Sequence, residues 1–416
     1  MDKNTNQPKN SNGTRKILIF SLTYFPYIGG AEVAVKELTD RMTDFEFHML
    51  TLRVDKNLPS LEKIGNVTVH RLGFAGNVSN HSHISFPLSI NKYLFPFWSC
   101  LEALSLHHTH KFEASWSIMA NYAGFGALFF KWLNSSTPFL LNIQEGDSIA
   151  HIKRRVGVFR PLFREIFKKA DYTHAISNFL ADFSRSMGSK KIEVVPNGVE
   201  EARFLKGYST FEIESIKNQL KIPSESKIIV TTSRLVTKNG VRDLILSLNF
   251  LPDTTHLLIA GDGPEKNNLL SLAEKNKLGK RIHFAGRVAN EEIPKYLKMS
   301  DIFVRASLSE GLGNSFLEAM AAGIPVVGTP VGGIPDFLFD PKNSPEPTGL
   351  FCKPNDPKSI AEAIERIISD KGLRDELVSN ARTFVSEKYG WEKIAKQLET
   401  SFVQTISNEP RSEKWH

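Results

Sequence analysis

The chain has 416 residues, 41% of them hydrophobic and 23% charged, a balance that suits more than one globular domain and excludes disordered, collagen-like and disulfide-built classes. Its 52 Lys and Arg against 45 Asp and Glu leave a net charge of +7, which favours polyanions or anionic lipid as neighbours, while the lack of any basic-aromatic nucleic-acid module excludes that partner. Cys100 and Cys352 stand too far apart for a metal or redox pair and read as free thiols, and no stretch approaches the roughly 20 apolar residues that cross a bilayer.

Residues 1–14 are polar and read as a disordered tail. Lys16-Ile17-Leu18-Ile19-Phe20-Ser21 predicts a buried strand, and the glycine turn at Gly29-Gly30 opens a helix to about Met42. The aromatic stretch Ile84 to Trp98, with Phe86, Tyr93, Phe95 and Phe97, suits either an acceptor-facing or interfacial surface or loop packing. His107, His108 and His110 lie in a poorly periodic stretch with Glu113 as the one nearby carboxylate, so they read as solvated or helix-end residues and not as metal ligands. From Lys153 to Lys169 the run KRRVGVFRPLFREIFKK places Phe159, Leu162, Phe163, Ile166 and Phe167 at helical spacing. That stripe either packs on a sheet, with the basic residues solvated, or lies on an anionic membrane.

Beyond Val195-Pro196-Asn197-Gly198-Val199, strands such as Lys227 to Thr232 and His256 to Ala260 alternate with amphipathic helices, the pattern of βαβ units around parallel sheets. The first of these strands leads into Arg234 and Lys238; further turns follow at Ala260-Gly261-Asp262-Gly263-Pro264 and Phe284-Ala285-Gly286-Arg287-Val288. The apolar strand Ile302-Phe303-Val304 then precedes Glu310-Gly311-Leu312-Gly313-Asn314-Ser315-Phe316-Leu317-Glu318, whose helix ends at Gly323 before Pro325. A helix at Tyr389 to Leu398 and a polar tail, 407–416, complete the chain.

The strand, glycine turn and helix N-terminus around Gly311 and Gly313 form an anion site, because N–H groups in a first helical turn lack internal partners and point along a favourable dipole. Arg234 and Lys238 would oppose the dipole of the helix that follows them unless an anion lay between them. Glu318 has a plainer reading as well: Ser315-Phe316-Leu317-Glu318 fits a capping box, in which the glutamate only reaches back to the cap residue.

The run Ser307 to Gly333, with its paired Glu310 and Glu318, resembles the nucleotide-sugar site of the large retaining glycosyltransferase family numbered four, also called glycosyl transferases group 1. Thr232 to Gly240 resembles that family's Arg/Lys diphosphate clamp, and the Gly29-Gly30 turn its N-terminal glycine motif, so the resemblance covers nearly the whole chain.

It implies an α/β protein of GT-B fold, with two Rossmann-like domains facing a central cleft: residues 15–200 binding the acceptor and 201–385 the nucleotide sugar, with 386–406 as a helix returning to the first domain. It also implies that a hexose passes from a nucleotide diphosphate sugar to a hydroxyl of a glycan or lipid-linked acceptor with retention. The setting it suggests is cell-envelope or extracellular polysaccharide or glycolipid synthesis in the cytoplasm or at the cytoplasmic face of the membrane. No cofactor and no metal are expected.

By the same resemblance Arg234, Lys238 and the N–H groups near Gly29 and Gly30 take the diphosphate, Glu318 the ribose hydroxyls, Glu310 and the backbone of Gly311, Leu312, Gly313 and Asn314 the hexose, and the backbone from Gly286 to Val288 the base. In Leu141-Asn142-Ile143-Gln144-Glu145-Gly146-Asp147 this chain has Glu145 where many relatives place a histidine near the reacting sugar. Glu145, with Asp147 beside it, either binds a sugar hydroxyl or assists the acceptor, or the loop is structural. Two other classes stay open: an epimerase or phosphorylase of the same fold, and a noncatalytic sugar-nucleotide-binding scaffold.

Overall fold

The computed structural model describes residues 14–27, 29–76 and 88–407. Residues 1–13 and 408–416 of the expected tails lie outside them, as do Ile84 and Phe86. Strands β1 (Arg15–Phe20), β2 (Phe45–Leu52), β3 (Leu61–Ile64), β4 (Val67–Leu72), β5 (Ala114–Ile118), β6 (Phe139–Ile143), β7 (Tyr172–Ala175) and β8 (Ile192–Val194) form one sheet in the order β3-β4-β2-β1-β5-β6-β7-β8. A second sheet, all parallel, holds β9 (Lys227–Thr232), β10 (Thr255–Ala260), β11 (Ile282–Gly286), β12 (Ile302–Arg305), β13 (Val326–Gly328) and β14 (Leu350–Phe351) in the order β11-β10-β9-β12-β13-β14.

Central strands of both sheets are apolar runs rather than alternating ones, because helices cover a parallel sheet on both faces. Ile17 to Phe20 of β1 and Leu257 to Ile259 of β10 are fully buried. The edge of the first sheet behaves differently. There β3 pairs antiparallel with β4, and its residues Leu61-Glu62-Lys63-Ile64 alternate between exposed and half-buried, which gives the edge a charged, solvated face.

By contacts the chain divides into two compact units, one made of residues 1–141, 169–172 and 399–416, the other of 142–168 and 173–398. In the first, the helix Gly30–Arg41 starts at Gly29 and the helix Tyr122–Leu133 is capped by the Asn121 side chain, which accepts from the Ala123 N–H. Phe402 lies against Phe45 and Trp116 in the core of this unit, with ring centroids 5.9 and 5.3 Å away. In the second unit Leu235, Leu244, Ile245, Leu257, Ile259, Val304 and Ile364 join one hydrophobic cluster between sheet and helices. Gly198 is required there for packing: a Cβ on it would stand 2.6 Å from the Trp391 indole.

The basic segment Lys153 to Lys169 is two helices, Ile149–Val156 and Arg160–Lys169, joined by a single 3-10 turn at Gly157–Phe159 where Gly157 takes φ +53°. Phe163, Ile166 and Phe167 are buried as a sheet-packing stripe requires, yet Val158 is 87% and Phe159 64% exposed. Phe159 therefore leaves the stripe that its spacing suggested, because the turn re-aims it. Both cysteines are free and buried. Burial raises the Cys100 thiol and pushes that of Cys352 to about 12.

Candidate functional site in the second unit

The C-terminal ends of β9 and β12 bring two loops together. After β9, residues Thr237–Asn239 make a 3-10 turn that Gly240 closes at φ +66°. After β12, residues 306–313 lead into the helix Asn314–Ala322. The Leu308 N–H donates to the Lys238 carbonyl at 2.7 Å, and a Cβ on Gly240 would fall 1.7 Å from the Ala306 carbonyl oxygen, so only glycine lets the two loops touch. A third loop, Gln144 to Ser148, joins them. Ser309 Oγ donates to the Gly146 carbonyl at 3.2 Å, and a Cβ on Gly311 would lie 2.7 Å from the Glu145 carbonyl oxygen. The position of a Cβ on Gly146 marks the centre of the group: 3.1 Å from Lys238 Nζ and 3.9 Å from Glu310 Oε1.

Charged side chains of both signs stand on these loops and on the helices next to them. Lys238 Nζ donates to Asp147 Oδ1 at 2.8 Å, with Arg155 3.8 Å from the other oxygen. Burial opposes the charge on Asp147, but the Lys238 hydrogen bond and the charges of Lys238, His151 and Arg155 together outweigh it and hold the carboxyl below its ordinary range. Glu310 is paired with Arg305 at 2.8 Å, both side chains 13% exposed, and Ser307 Oγ approaches Glu310 at 3.4 Å. Arg305 is a hub: it also donates to Ser307, to Ser315 Oγ at 2.9 Å and to Asn239 Oδ1 at 3.0 Å. Glu318 lies 3.6 Å from Arg203, and burial raises its carboxyl to about 7 against the pull of Arg203 and Arg305. A further carboxylate, Glu145, is half-buried. Arg234 is exposed and, among the described residues, has no carboxylate within ion-pair distance.

The capping-box reading of Glu318 fails. Gly313, at φ +105°, is the residue that starts the helix, no side chain caps it, and Ser315 lies inside the first turn with its hydroxyl accepting from Arg305. Glu318 is thus mid-helix, and its carboxylate faces Arg203 instead of the cap. Among the described residues the N–H groups of Gly311, Leu312, Gly313 and Asn314 find no acceptor. Gln144 Nε2, Thr232 Oγ1 and Ser233 Oγ are also buried without a hydrogen-bond partner. Unpaired buried polar groups cost about 1–3 kcal/mol each, so such a concentration suits a polar ligand.

Of the expected site residues, Glu145, Lys238, Glu310, Gly311, Leu312, Gly313 and Asn314 meet in these three loops, with Glu318 one turn further along the helix. The Leu312 side chain is buried in the core, leaving only its backbone for a ligand. Gly286 ends β11 at φ +70° with open space where a Cβ would stand, and Val288 follows half-buried. Gly29 and Gly30 belong to the first unit, at the start of the helix Gly30–Arg41, where Glu32 accepts from Thr23 at 2.6 Å. Arg305 and Arg203 were not singled out in the sequence. Arg305 carried a signal nonetheless, as a cation at the end of an otherwise buried apolar strand.

Two family models match: Glycosyltransferase Family 4 over residues 28–203 and Glycosyl transferases group 1 over 212–384. The chain is 27% identical over 418 residues to an uncharacterized glycosyltransferase of Methanocaldococcus jannaschii, covering 94% of this chain and 99% of that one. It is 26% identical to the GDP-mannose-dependent alpha-(1-6)-phosphatidylinositol monomannoside mannosyltransferase of Mycobacterium tuberculosis, over 57% of this chain and 64% of that one. Among solved structures, sucrose-phosphate synthase from Thermosynechococcus elongatus matches with a TM-score of 0.77 at 20% identity, covering 95% of this chain and 100% of that one. Anabaena HepE in complex with UDP-glucose matches at 0.74 and 18%, with 95% and 100% covered. These likenesses give the fold as GT-B. The paired glutamates, the glycine loops and the two matched models together place the chain in the group 1, family 4 glycosyltransferases.

Proposed function

We propose that this glycosyltransferase moves a hexose from a nucleotide diphosphate sugar to a hydroxyl of a glycan or lipid-linked acceptor, with retention and without a metal. The observation that carries the reading is the row of unpaired N–H groups from Gly311 to Asn314 beside the Arg305-held Glu310. Such a row accepts hydroxyl and phosphate oxygens, and a carboxylate fixed by a guanidinium fork orients a sugar hydroxyl. UDP-glucose in the HepE structure and the GDP-mannose dependence of the mycobacterial relative support a sugar nucleotide as co-substrate.

In the proposed reaction the bond between the anomeric carbon and the diphosphate oxygen breaks, the electron pair leaving with the diphosphate. The acceptor hydroxyl attacks from the same face and gives its proton to a leaving phosphate oxygen, so no side-chain nucleophile is used. Arg234, which pairs with no described carboxylate, and Lys238, released from Asp147, offset the charge that develops on the leaving group. Gly29 and Gly30 supply further N–H groups to the diphosphate, Gly286 and Val288 backbone contacts to the base, and Glu318 a carboxylate to the ribose. Glu145 lies beside the hexose as a hydroxyl ligand or acceptor aid.

The related phosphatidylinositol mannoside enzyme supports a lipid-linked acceptor in cell-envelope assembly, and the exposed Val158 and Phe159 within a basic segment support docking at the cytoplasmic face of an anionic membrane. The test is a titration with UDP-, GDP-, ADP- and dTDP-sugars, read by thermal shift and by release of free nucleotide. Selective stabilisation by one donor is expected; no response to any of them sinks the reading and leaves a scaffold.

A further inference from the structure

On the first sheet four titratable side chains from three elements converge. Glu46 and His48 lie two residues apart on β2 and so project from the same face. His110 is the last residue of the helix Asn91–His110, and its ring centroid lies 4.3 Å from that of His48. His70, on the neighbouring strand β4, approaches His48 from the other side, its Nε2 3.0 Å from His48 Nδ1. One ligand atom from each of Glu46, His48 and His110 lies within 4.8 Å of the other two. His110 is the helix-end residue that its sequence context suggested, and the fold brings that helix end back to the strand.

We propose that Glu46, His48 and His110 bind one divalent first-row transition ion, with zinc as the probe, and that His70 orients His48 from behind. Two imidazoles and a carboxylate are a borderline-soft set that suits zinc, cobalt or iron rather than magnesium or calcium. Ligand bonds of about 2.0–2.2 Å require the three groups to adjust slightly, the Glu46–His48 contact opening from its 2.8 Å, which side-chain rotation of the half-buried Glu46 and His110 supplies. The remaining positions fall to solvent.

The hydrogen bonds already present set up the ligand. Glu46 Oε1 lies 2.8 Å from His48 Nε2 and a carboxylate only accepts, so Nε2 of the neutral ring carries the proton and Nδ1 accepts from His70 Nε2–H. When the ion takes Nε2, that proton leaves to water, the His70 Nε2 proton passes to His48 Nδ1, and His70 Nδ1 takes one proton back from water, so that His70 now accepts through Nε2. The count of protons on the pair is unchanged. Such an outer partner fixes ring orientation and is worth about 10–100-fold in metal affinity. Lys16 Nζ, 3.6 Å from Glu46 Oε2, is the one cation paired with the cluster among the described residues, and it sits on the oxygen that does not face His48.

The role is structural. Glu46 and His48 lie in the first half of a parallel strand, whereas Gly29 and Gly30 follow the C-terminal end of its neighbour β1. The ion would pin the end of the helix Asn91–His110, where Lys111 turns left-handed at φ 55°, to β2.

The untagged full-length protein, stripped with chelator, is titrated with zinc against a chromophoric competitor and separately with cobalt. About one equivalent is expected for wild type and for His108→Gln, an exposed histidine outside the cluster, with a visible cobalt band and a rise in Tm. His110→Gln and Glu46→Gln should each lose at least about tenfold in affinity and lose the zinc-dependent Tm rise, while unfolding in chelator as wild type does. Wild type that takes up no zinc, or His110→Gln and Glu46→Gln that both keep wild-type affinity, overturns the proposal.

Discussion

Arg305 and Glu318 set the energetics of the site, and neither works as an isolated charge. Arg305 spreads its guanidinium over Glu310, Ser307, Ser315 and Asn239, a planar fork that lysine cannot copy. Removing it leaves a buried carboxylate uncompensated, so Arg305→Ala should cost about 3 kcal/mol in denaturant unfolding, and adding Glu310→Ala should restore part of that. If the single variant unfolds as wild type does, Arg305 is not the support of Glu310. For Glu318 the sign follows from a folded pKa raised by burial from near 4.5 to about 7. The folded state holds the proton more tightly, so this group's contribution to stability is greatest below 4.5 and is lost as pH rises towards 7. Glu318→Gln should flatten that part of the Tm profile in the ligand-free protein and weaken binding of the sugar nucleotide about tenfold, the worth of one hydrogen bond to a charged group. An unchanged Tm profile would show that Glu318 is ionised throughout.

Glycines at the loop-forming ends of the elements divide into those the fold requires and those it leaves free. Gly332, at φ +59°, would push a Cβ to 1.8 Å from the Glu310 carbonyl oxygen, and Gly313, at φ +105°, starts the helix Asn314–Ala322. Gly30 has open space around it and an ordinary helical backbone. Gly332→Ala should therefore lower Tm sharply, whereas Gly30→Ala should leave Tm nearly unchanged and raise the KM for the sugar nucleotide; equal melting losses in both would remove Gly30 from the binding surface. The elements that the sequence made legible are those whose signal is local: the apolar runs of β1, β9 and β12, and the glycine-to-helix turns at Gly29 and Gly313. Long-range partnership was not legible. Nothing near Arg305 in sequence announces Asn239, nothing near His110 announces β2, and a four-residue pattern at Ser315 imitates a cap whose true position only the backbone at Gly313 decides.

At the scale of the whole chain, no helix among the described residues is long and apolar enough to cross a membrane, so contact with a bilayer would come from surface groups. The turn at Val158 and Phe159, set between Lys153, Arg154, Arg155 and Arg160, offers apolar insertion with basic flanks. Val158→Asp with Phe159→Asp should abolish flotation with anionic vesicles at unchanged Tm, and neutral vesicles should recover little wild-type protein; equal recovery with both lipids removes the electrostatic part. The net charge of +7 adds a general attraction that salt should screen. The two buried thiols bear on how this chain can be studied. With Cys100 4% and Cys352 2% exposed and both pushed towards the protonated form, maleimide dyes will react with the native protein slowly. A single cysteine placed on the exposed surface of either unit will therefore take a label almost alone, and the wild-type background is quiet enough for fluorescence to follow substrate-driven motion without first engineering the natural cysteines away.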